Sequence, residues 1–335
     1  MAMSDPLFSI VLPSYNRAAM LRSAIESVLW QTWTDYECFV LDNHSDDDTP
    51  RVFAEYAHLP KFHFQRFAEN RGVPQSRNFA IRNARGRYIT FLDSDDLWLP
   101  DRLAEFQRTI DRAPDAGFIF SNAYELRHGR IVGRLFAEGR AIPEGRVPGY
   151  YAVGESRLPY VTTNLAIVRE AFDRVGLYRA DVKLLDDTEL YSRMLAAGYR
   201  VAVIPRPLAV RTLHASQITH AYRQAFSDAL LSLRSGGADE TTVRVYRDRL
   251  AADAALFLIK SGQPAQARQF LCENPVGGWL GLGVGALARL PAPLLRLGRV
   301  LRRAALELRH GPALQGREFR QVEELIAPLL GPHRA

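Results

Sequence analysis

Cysteine is nearly absent from this chain: Cys38 and Cys272 lie far apart, and Cys38 sits in an apolar run that reads as a buried strand, so a disulfide framework is excluded. No uninterrupted apolar run reaches the ~18 residues that a bilayer crossing requires. The first residues lack the basic region, apolar stretch and small-residue cleavage site of a secretory signal, and the expectation is a cytoplasmic protein. Lys/Arg-rich arms, aromatic-basic interleaving and zinc-finger spacing are also missing, which argues against nucleic acid as a ligand. There is no G-x-G-x-x-G after the first apolar run, no Walker loop, no H-E-x-x-H and no G-x-S-x-G. Dehydrogenase, ATPase, zinc-protease and serine-hydrolase chemistries lose their support accordingly. The run Asp46-Asp47-Asp48-Thr49 lacks the glycine and terminal glutamate of an EF-hand and reads as a solvated loop with a helix cap.

What is present is an ordinary globular composition, with 47% hydrophobic and 24% charged residues in 335. That length suits one domain of somewhat over 200 residues with a smaller appendage. The expected division is 1–220 and 221–335. The formal charge of +6 is modest, but arginines gather late in the chain, at Arg296, Arg299, Arg302, Arg303 and Arg309. These basic C-terminal helices could meet an anionic membrane surface or another acidic partner.

From residue 8 to 122, short apolar runs at 8–12, 37–41, 62–66, 88–92 and 117–120 alternate with amphipathic stretches at 18–30, 49–56, 74–83 and 99–112. This alternation predicts an α/β fold: an open, Rossmann-like, mostly parallel sheet with helices on both faces. A hairpin is expected around His128-Gly129, then a Gly/Pro-rich loop over 139–159, a segment at 162–168 followed by a short helix, a helix over 186–197, and strands at 200–203 and 208–213. Beyond residue 220 the pattern is helical, over 222–234, 240–261 and 264–273. The segment 279–308 suits either a helix packed on the core or one lying in a membrane interface.

In such sheets ligands bind beyond the carboxyl ends of the strands. Those ends are polar here: Pro13-Ser14-Tyr15-Asn16-Arg17, Asp42-Asn43-His44-Ser45-Asp46 and Asp93-Ser94-Asp95-Asp96. Carboxylates one residue apart on a turn can share Mg²⁺ or Mn²⁺ and leave positions for phosphate oxygens. The competing reading is that Asp96 caps a helix beginning near Leu97. Asp42 could accept hydrogen bonds from a nucleobase or ribose. For Asp186-Asp187-Thr188-Glu189, an acidic helix start that complements the dipole competes with a catalytic role.

Taken together, these segments, with Glu69-Asn70-Arg71-Gly72, Ser76-Arg77-Asn78, Asn164 ahead of Val168-Arg169-Glu170-Ala171-Phe172, Asp186-Asp187-Thr188-Glu189-Leu190 and Arg211-Thr212-Leu213-His214, resemble the inverting family 2 glycosyltransferases of GT-A fold over about residues 6–219. The resemblance implies that Pro13, Tyr15 and Asp42 flank the nucleobase. It groups Asn16, Arg17, Arg77, Asp93 and Ser94 with them as nucleotide-binding, with Asp93 facing nucleoside or metal. Asp95 becomes the principal ligand of Mn²⁺ or Mg²⁺, and His214 a further ligand or diphosphate contact. Thr163, Asn164 and Asp186 would meet the donor or acceptor sugar, Asp186 standing where the family has glutamate. Asp187 would be the catalytic base. The implied partners are a nucleoside-diphosphate-sugar donor, a UDP-sugar foremost, and a glycan or glycolipid acceptor in cell-surface glycan assembly. The implied place is the cytoplasm or the inner face of the membrane, and a homo-oligomer is compatible. A catalytically inactive sugar-nucleotide-binding scaffold of the same fold is the alternative. Processive synthases would carry membrane helices and Gln-x-x-Arg-Trp, both missing here, and a nucleotidyltransferase would want a glycine-rich loop at Ser14-Tyr15-Asn16-Arg17.

Overall fold

A computed structural model describes residues 5–153, 158–213, 222–290 and 317–330. Strands β1 (Phe8–Ser14) and β2 (Tyr36–Asp42) are buried at every position. Their apolar runs do not alternate with polar residues because both faces of the sheet are covered. Between and after them come α1 (Ala18–Leu29), α2 (Thr49–Tyr56), β3 (Phe62–Arg66), α3 (Gly72–Asn83) and β4 (Tyr88–Phe91), in the predicted order. Next follow β5 (Leu97–Trp98), α4 (Arg102–Arg112), β6 (Ala116–Arg127), β7 (Arg130–Arg134), β8 (Gly145–Arg146), β9 (Leu165–Val168), α5 (Glu170–Val175), α6 (Asp186–Ala196) and β10 (Arg200–Thr212).

The sheet runs β3-β2-β1-β4-β9-β6-β10-β5, with β7 beside β6 and β8 beside β10. Strands β3, β2, β1, β4, β6 and β10 share one direction, and β9 runs against its neighbours β4 and β6. The chain winds outward from β1 through β2 to β3 and returns to β4 on the other side. The carboxyl ends of β1 and β4 therefore form a topological switch point, where doubly wound sheets open a crevice. Side chains alternate between two cores, as the pleat requires. Ile10, Leu12, Cys38 and Val40 pack with α1, α2 and α4, whereas Val11, Phe39, Leu41 and Phe91 pack with α3, α5 and α6.

Two expectations are corrected. The helix expected from residue 99 starts at Arg102, because Pro100 disfavours helical backbone at Leu99 and because Leu97 and Trp98 pair with Val210 and Ala209 of β10. The two strands expected at 200–203 and 208–213 are one strand, β10. Pro205 and Pro207 cannot donate to the ladder, and register shifts around Ile204 and Pro207 absorb them. The β6–β7 hairpin turns at His128 (φ 48) and Gly129 (φ 71), as two left-handed positions in a tight hairpin require.

Past residue 221, α7 (Tyr222–Ser235) buries Ala229 and Leu233 in the main core. Helices α8 (Glu240–Lys260), α9 (Pro264–Glu273) and α10 (Gly278–Arg289) enclose a cluster of their own around Ala255, Leu258 and Phe270. A last helix, Arg317–Ile326, returns to the sheet, where Val322, Ile326 and Leu329 cover Leu97, Leu99, Tyr124, Ile131 and Val210. The late arginines at 296–309 lie outside the described residues. Among those described, no helix is long and apolar enough to cross a membrane.

Candidate active site

The carboxyl end of β1 turns sharply at Asn16 (φ 51), a left-handed position that asparagine tolerates. Its N–H donates to Ser45 Oγ at 2.9 Å, and its Oδ1 accepts from the Asp46 N–H at 2.9 Å. The loops after β1 and β2 are thereby locked together. Asp42, wholly buried at the end of β2, accepts the Ser45 N–H on Oδ1 at 2.9 Å. Its Oδ2 makes no hydrogen bond among the described residues and lies 3.4 Å from Arg66 Nε. Asn43 accepts from the Arg71 N–H (3.0 Å) and Ser76 Oγ (3.3 Å) and donates to Asn70 (2.6 Å), tying β2 to the start of α3. Pro13 is buried within β1, the buried Ser14 Oγ has no hydrogen-bond partner among the described residues, and Tyr15 is 44% exposed beside them.

The turn after β4 carries the acidic group, closed by Asp96 N–H to Asp93 O at 3.0 Å. Asp95 pairs with Arg17 at 2.7 Å, and Asp93 with Arg77 at 2.9 Å. The other guanidinium nitrogen of Arg77 lies 3.5 Å from Asp186 Oδ2. Arg77 is nearly buried against the rings of Phe91 and Tyr178. Burial opposes its charge, but Asp93 first, then Tyr178 and Asp186, more than offset this and hold it protonated. Ser94 is buried in the turn. Asp96 does not cap a helix: its Oδ1 accepts the Thr212 N–H at 2.8 Å, stitching the turn to β10. Burial, with Asp95 and Asp93 adding, raises its carboxyl far above the ordinary range.

On the opposite side, α6 begins with Asp186 and Asp187. Asp187 Oδ1 accepts the N–H of Thr188 at 2.6 Å and its Oγ1 at 3.2 Å, which fixes the carboxylate at the helix start. Burial pushes Asp186 up to about 7, with Arg77 opposing and Asp187 adding to the rise. Thr163 and Asn164 are fully buried in a 3-10 turn (Thr162–Asn164). The Asn164 amide is committed to framework, donating to Ser121 O at 2.5 Å and accepting the Val161 N–H at 2.9 Å. Thr163 O accepts from Trp98 Nε1 at 3.0 Å.

The structure thus joins Asp93, Arg77 and Asp186 in one ion-paired group, with Asp187 next to it, and sets the Arg17–Asp95 pair on the same turn, while Asp42, Asn16 and Tyr15 lie at the β1–β2 end. His214 lies outside the described residues. Two neighbours of these residues were missed in the sequence: Arg66, which stands at a strand's carboxyl end and was findable by that rule, and Tyr178, which carries no local signal.

Among the described residues no three His, Cys, Asp or Glu side chains converge as a closed metal cage. Asp93 and Asp95 carry hard oxygens on one turn, each paired with an arginine. That fits a cation such as Mg²⁺ or Mn²⁺, which takes one or two carboxylates and completes its shell with substrate phosphates and water.

Buried Asp42, the acidic turn after β4 and, linked to that turn through Arg77, the start of α6 thus stand at the carboxyl side of a mostly parallel sheet, and the fold is that of the GT-A transferases. The chain belongs to glycosyl transferase family 2, whose profile matches residues 9–175. It is 31% identical over 254 residues to the succinoglycan biosynthesis protein ExoO of Rhizobium meliloti, spanning 72% of this chain and 69% of that one. It is 35% identical over 136 residues to UDP-Glc:alpha-D-GlcNAc-diphosphoundecaprenol beta-1,3-glucosyltransferase WfgD of Escherichia coli, and that match spans 40% of this chain and about half (53%) of the relative's length. The fold is similar to that of the mannosyltransferase PcManGT from Pyrobaculum calidifontis in complex with GDP-Man and Mn²⁺, with a TM-score of 0.55 at 20% identity over 98% of this chain and 86% of that one.

Proposed function

We propose that this chain is an inverting glycosyltransferase that moves a sugar from a nucleoside-diphosphate-sugar, a UDP-sugar foremost, to a hydroxyl of a glycan or glycolipid in cell-surface glycan assembly. The observation that supports this most is the Asp93–Arg77–Asp186 link, in which one buried cation spans from the acidic turn to the start of α6. In this reading Tyr15 stacks on the base, Asp42 flanks it and holds the loop beside it through the Ser45 N–H, and Pro13, Ser94 and the Asn16 turn shape its surroundings. Arg17 and Arg77 face the diphosphate end. Asp187 accepts the proton of the acceptor hydroxyl as that oxygen bonds to the anomeric carbon from the face opposite the departing diphosphate, so configuration inverts. Asp186, when protonated, donates to a sugar oxygen, and Thr163 and Asn164 hold the turn that bounds the acceptor. A divalent cation held by Asp95, with Asp93 beside it and His214 as a further candidate ligand, would stabilise the charge of the leaving diphosphate. The WfgD relative is named for a lipid-diphosphate acceptor, and a similar acceptor here would bring the protein to the inner membrane face.

The test is a panel of nucleotide sugars with Mn²⁺, Mg²⁺ or EDTA, scored by thermal shift and diphosphate release. One donor is expected to stabilise the protein and release diphosphate only with metal. Stabilisation without any release across the panel and a set of glycan acceptors would replace the proposal with a sugar-nucleotide-binding scaffold.

A further inference from the structure

Asp228 stands on α7, beyond the 9–175 span of the family match and beyond the boundary at 220 expected from the sequence. It is buried, 3% exposed, yet fully engaged. Its Oδ2 accepts three successive backbone N–H groups, those of Lys183 (3.2 Å), Leu184 (2.8 Å) and Leu185 (3.3 Å), and its Oδ1 accepts from Gln224 Nε2 at 2.7 Å. Successive amides in a turn form a concavity that binds an anion. Here the anion comes from another helix. Leu185 is the N-cap residue of α6, and its aliphatic side chain makes no capping hydrogen bond; Asp228 instead holds the backbone of that residue and of the two before it, the segment that leads into α6. The next two residues are Asp186 and Asp187. Helix α7 is itself seated firmly: Ala229 and Leu233 lie in the main core, and Gly236 meets Gly149 backbone to backbone, where any Cβ would collide.

We propose that Asp228 is a positioning residue of the transfer reaction, a clamp from the C-terminal helices that fixes the entry to α6 and thereby aims Asp187 at the acceptor. The proposal rests on the reading of Asp187 as base. With the donor that the wild-type protein turns over best, Asp228→Ala is expected to lower kcat by about 100-fold, the scale of a small misplacement of a reacting group, while the Kd for UDP stays unchanged. Asp228→Asn keeps a carbonyl for the amides but no charge, and is expected to lose only about tenfold, as neutral hydrogen bonds are roughly half as strong. Leu233→Ala, in the same helix, controls for stability: it should lower the Tm without changing kcat below the transition. In an Asp187→Asn background, adding Asp228→Ala should leave residual donor hydrolysis unchanged.

Normal kcat in folded Asp228→Ala, beside an inactive Asp187→Asn, overturns the clamp alone; so does a further loss that adds to that of Asp187→Asn. Near-normal turnover of Asp187→Asn overturns the base reading instead. Should the alanine variant fail to fold, normal kcat in Asp228→Asn overturns the clamp.

Discussion

The nucleotide end of the site and the base end are built by different means. At the nucleotide end each functional side chain sits within a few residues of a strand's carboxyl end, and its partners are neighbouring loops: Asn16 with Ser45 and Asp46, Asn43 with Asn70 and Arg71. At the base end the framework is made of contacts between remote parts of the chain. Asn78 and Tyr178 exchange a reciprocal pair of hydrogen bonds across 100 residues of sequence, and Asp228 reaches back to residues 183–185. A strand end with polar loops can be read locally, whereas a helix start that depends on a buried carboxylate 43 residues later cannot.

If the two ends are separable, a lesion at one should spare the other. The largest effect is expected for Asp187→Asn, with turnover falling by about 10²–10⁴-fold while UDP binding, measured by calorimetry, is kept. Loss of binding alongside turnover would break the separation. Next comes Arg77→Met, which removes the cation joining the ends and leaves Asp93 and buried Asp186 without it. A loss of ~3–5 kcal/mol in urea unfolding is expected, with both binding and turnover impaired. Asp95→Ala should strike the nucleotide end, weakening Mn²⁺-dependent UDP binding by at least about tenfold, or ~1.4 kcal/mol, by calorimetry. A further effect concerns pH. Asp186 holds its proton to about 7 in the folded state, but only to the ordinary carboxylate range, near ~4, when unfolded. The unfolded chain thus releases a proton that the folded chain keeps, so this group's stabilisation is present at low pH and is lost as pH rises through 7. The expected slope is up to ~1.4 kcal/mol per pH unit between those values, and Asp186→Asn should remove that share in urea unfolding followed against pH.

The legibility of the sequence follows the same division. Strands β1 to β4 and helices α1 to α3 announce themselves through apolar runs and helical spacing, and Asp93 to Asp96 stand where the strand-end rule puts them. The reading faltered where tertiary pairing overrode local pattern. Leu97 and Trp98 look like a helix start until β10 claims them, and Asp96 looks like a cap until the Thr212 N–H is seen. The Asn164 amide bonds to Ser121 O across 43 residues of sequence as well as to Val161 in its own turn, and no spacing reveals the first of these. Asp228 was invisible because a carboxylate on an amphipathic helix normally faces water.

The last helix bears on how this protein could be cut into working pieces. A fragment ending at 220 would shed Asp228 and also bare Leu97, Leu99, Ile131 and Val210, the apolar ground on which Val322, Ile326 and Leu329 rest. Such naked patches favour self-association. Ending at 290 instead would keep Asp228 but still strip that ground, so sticky, low-yield material from either excision would reflect the missing tail rather than a misfolded sheet.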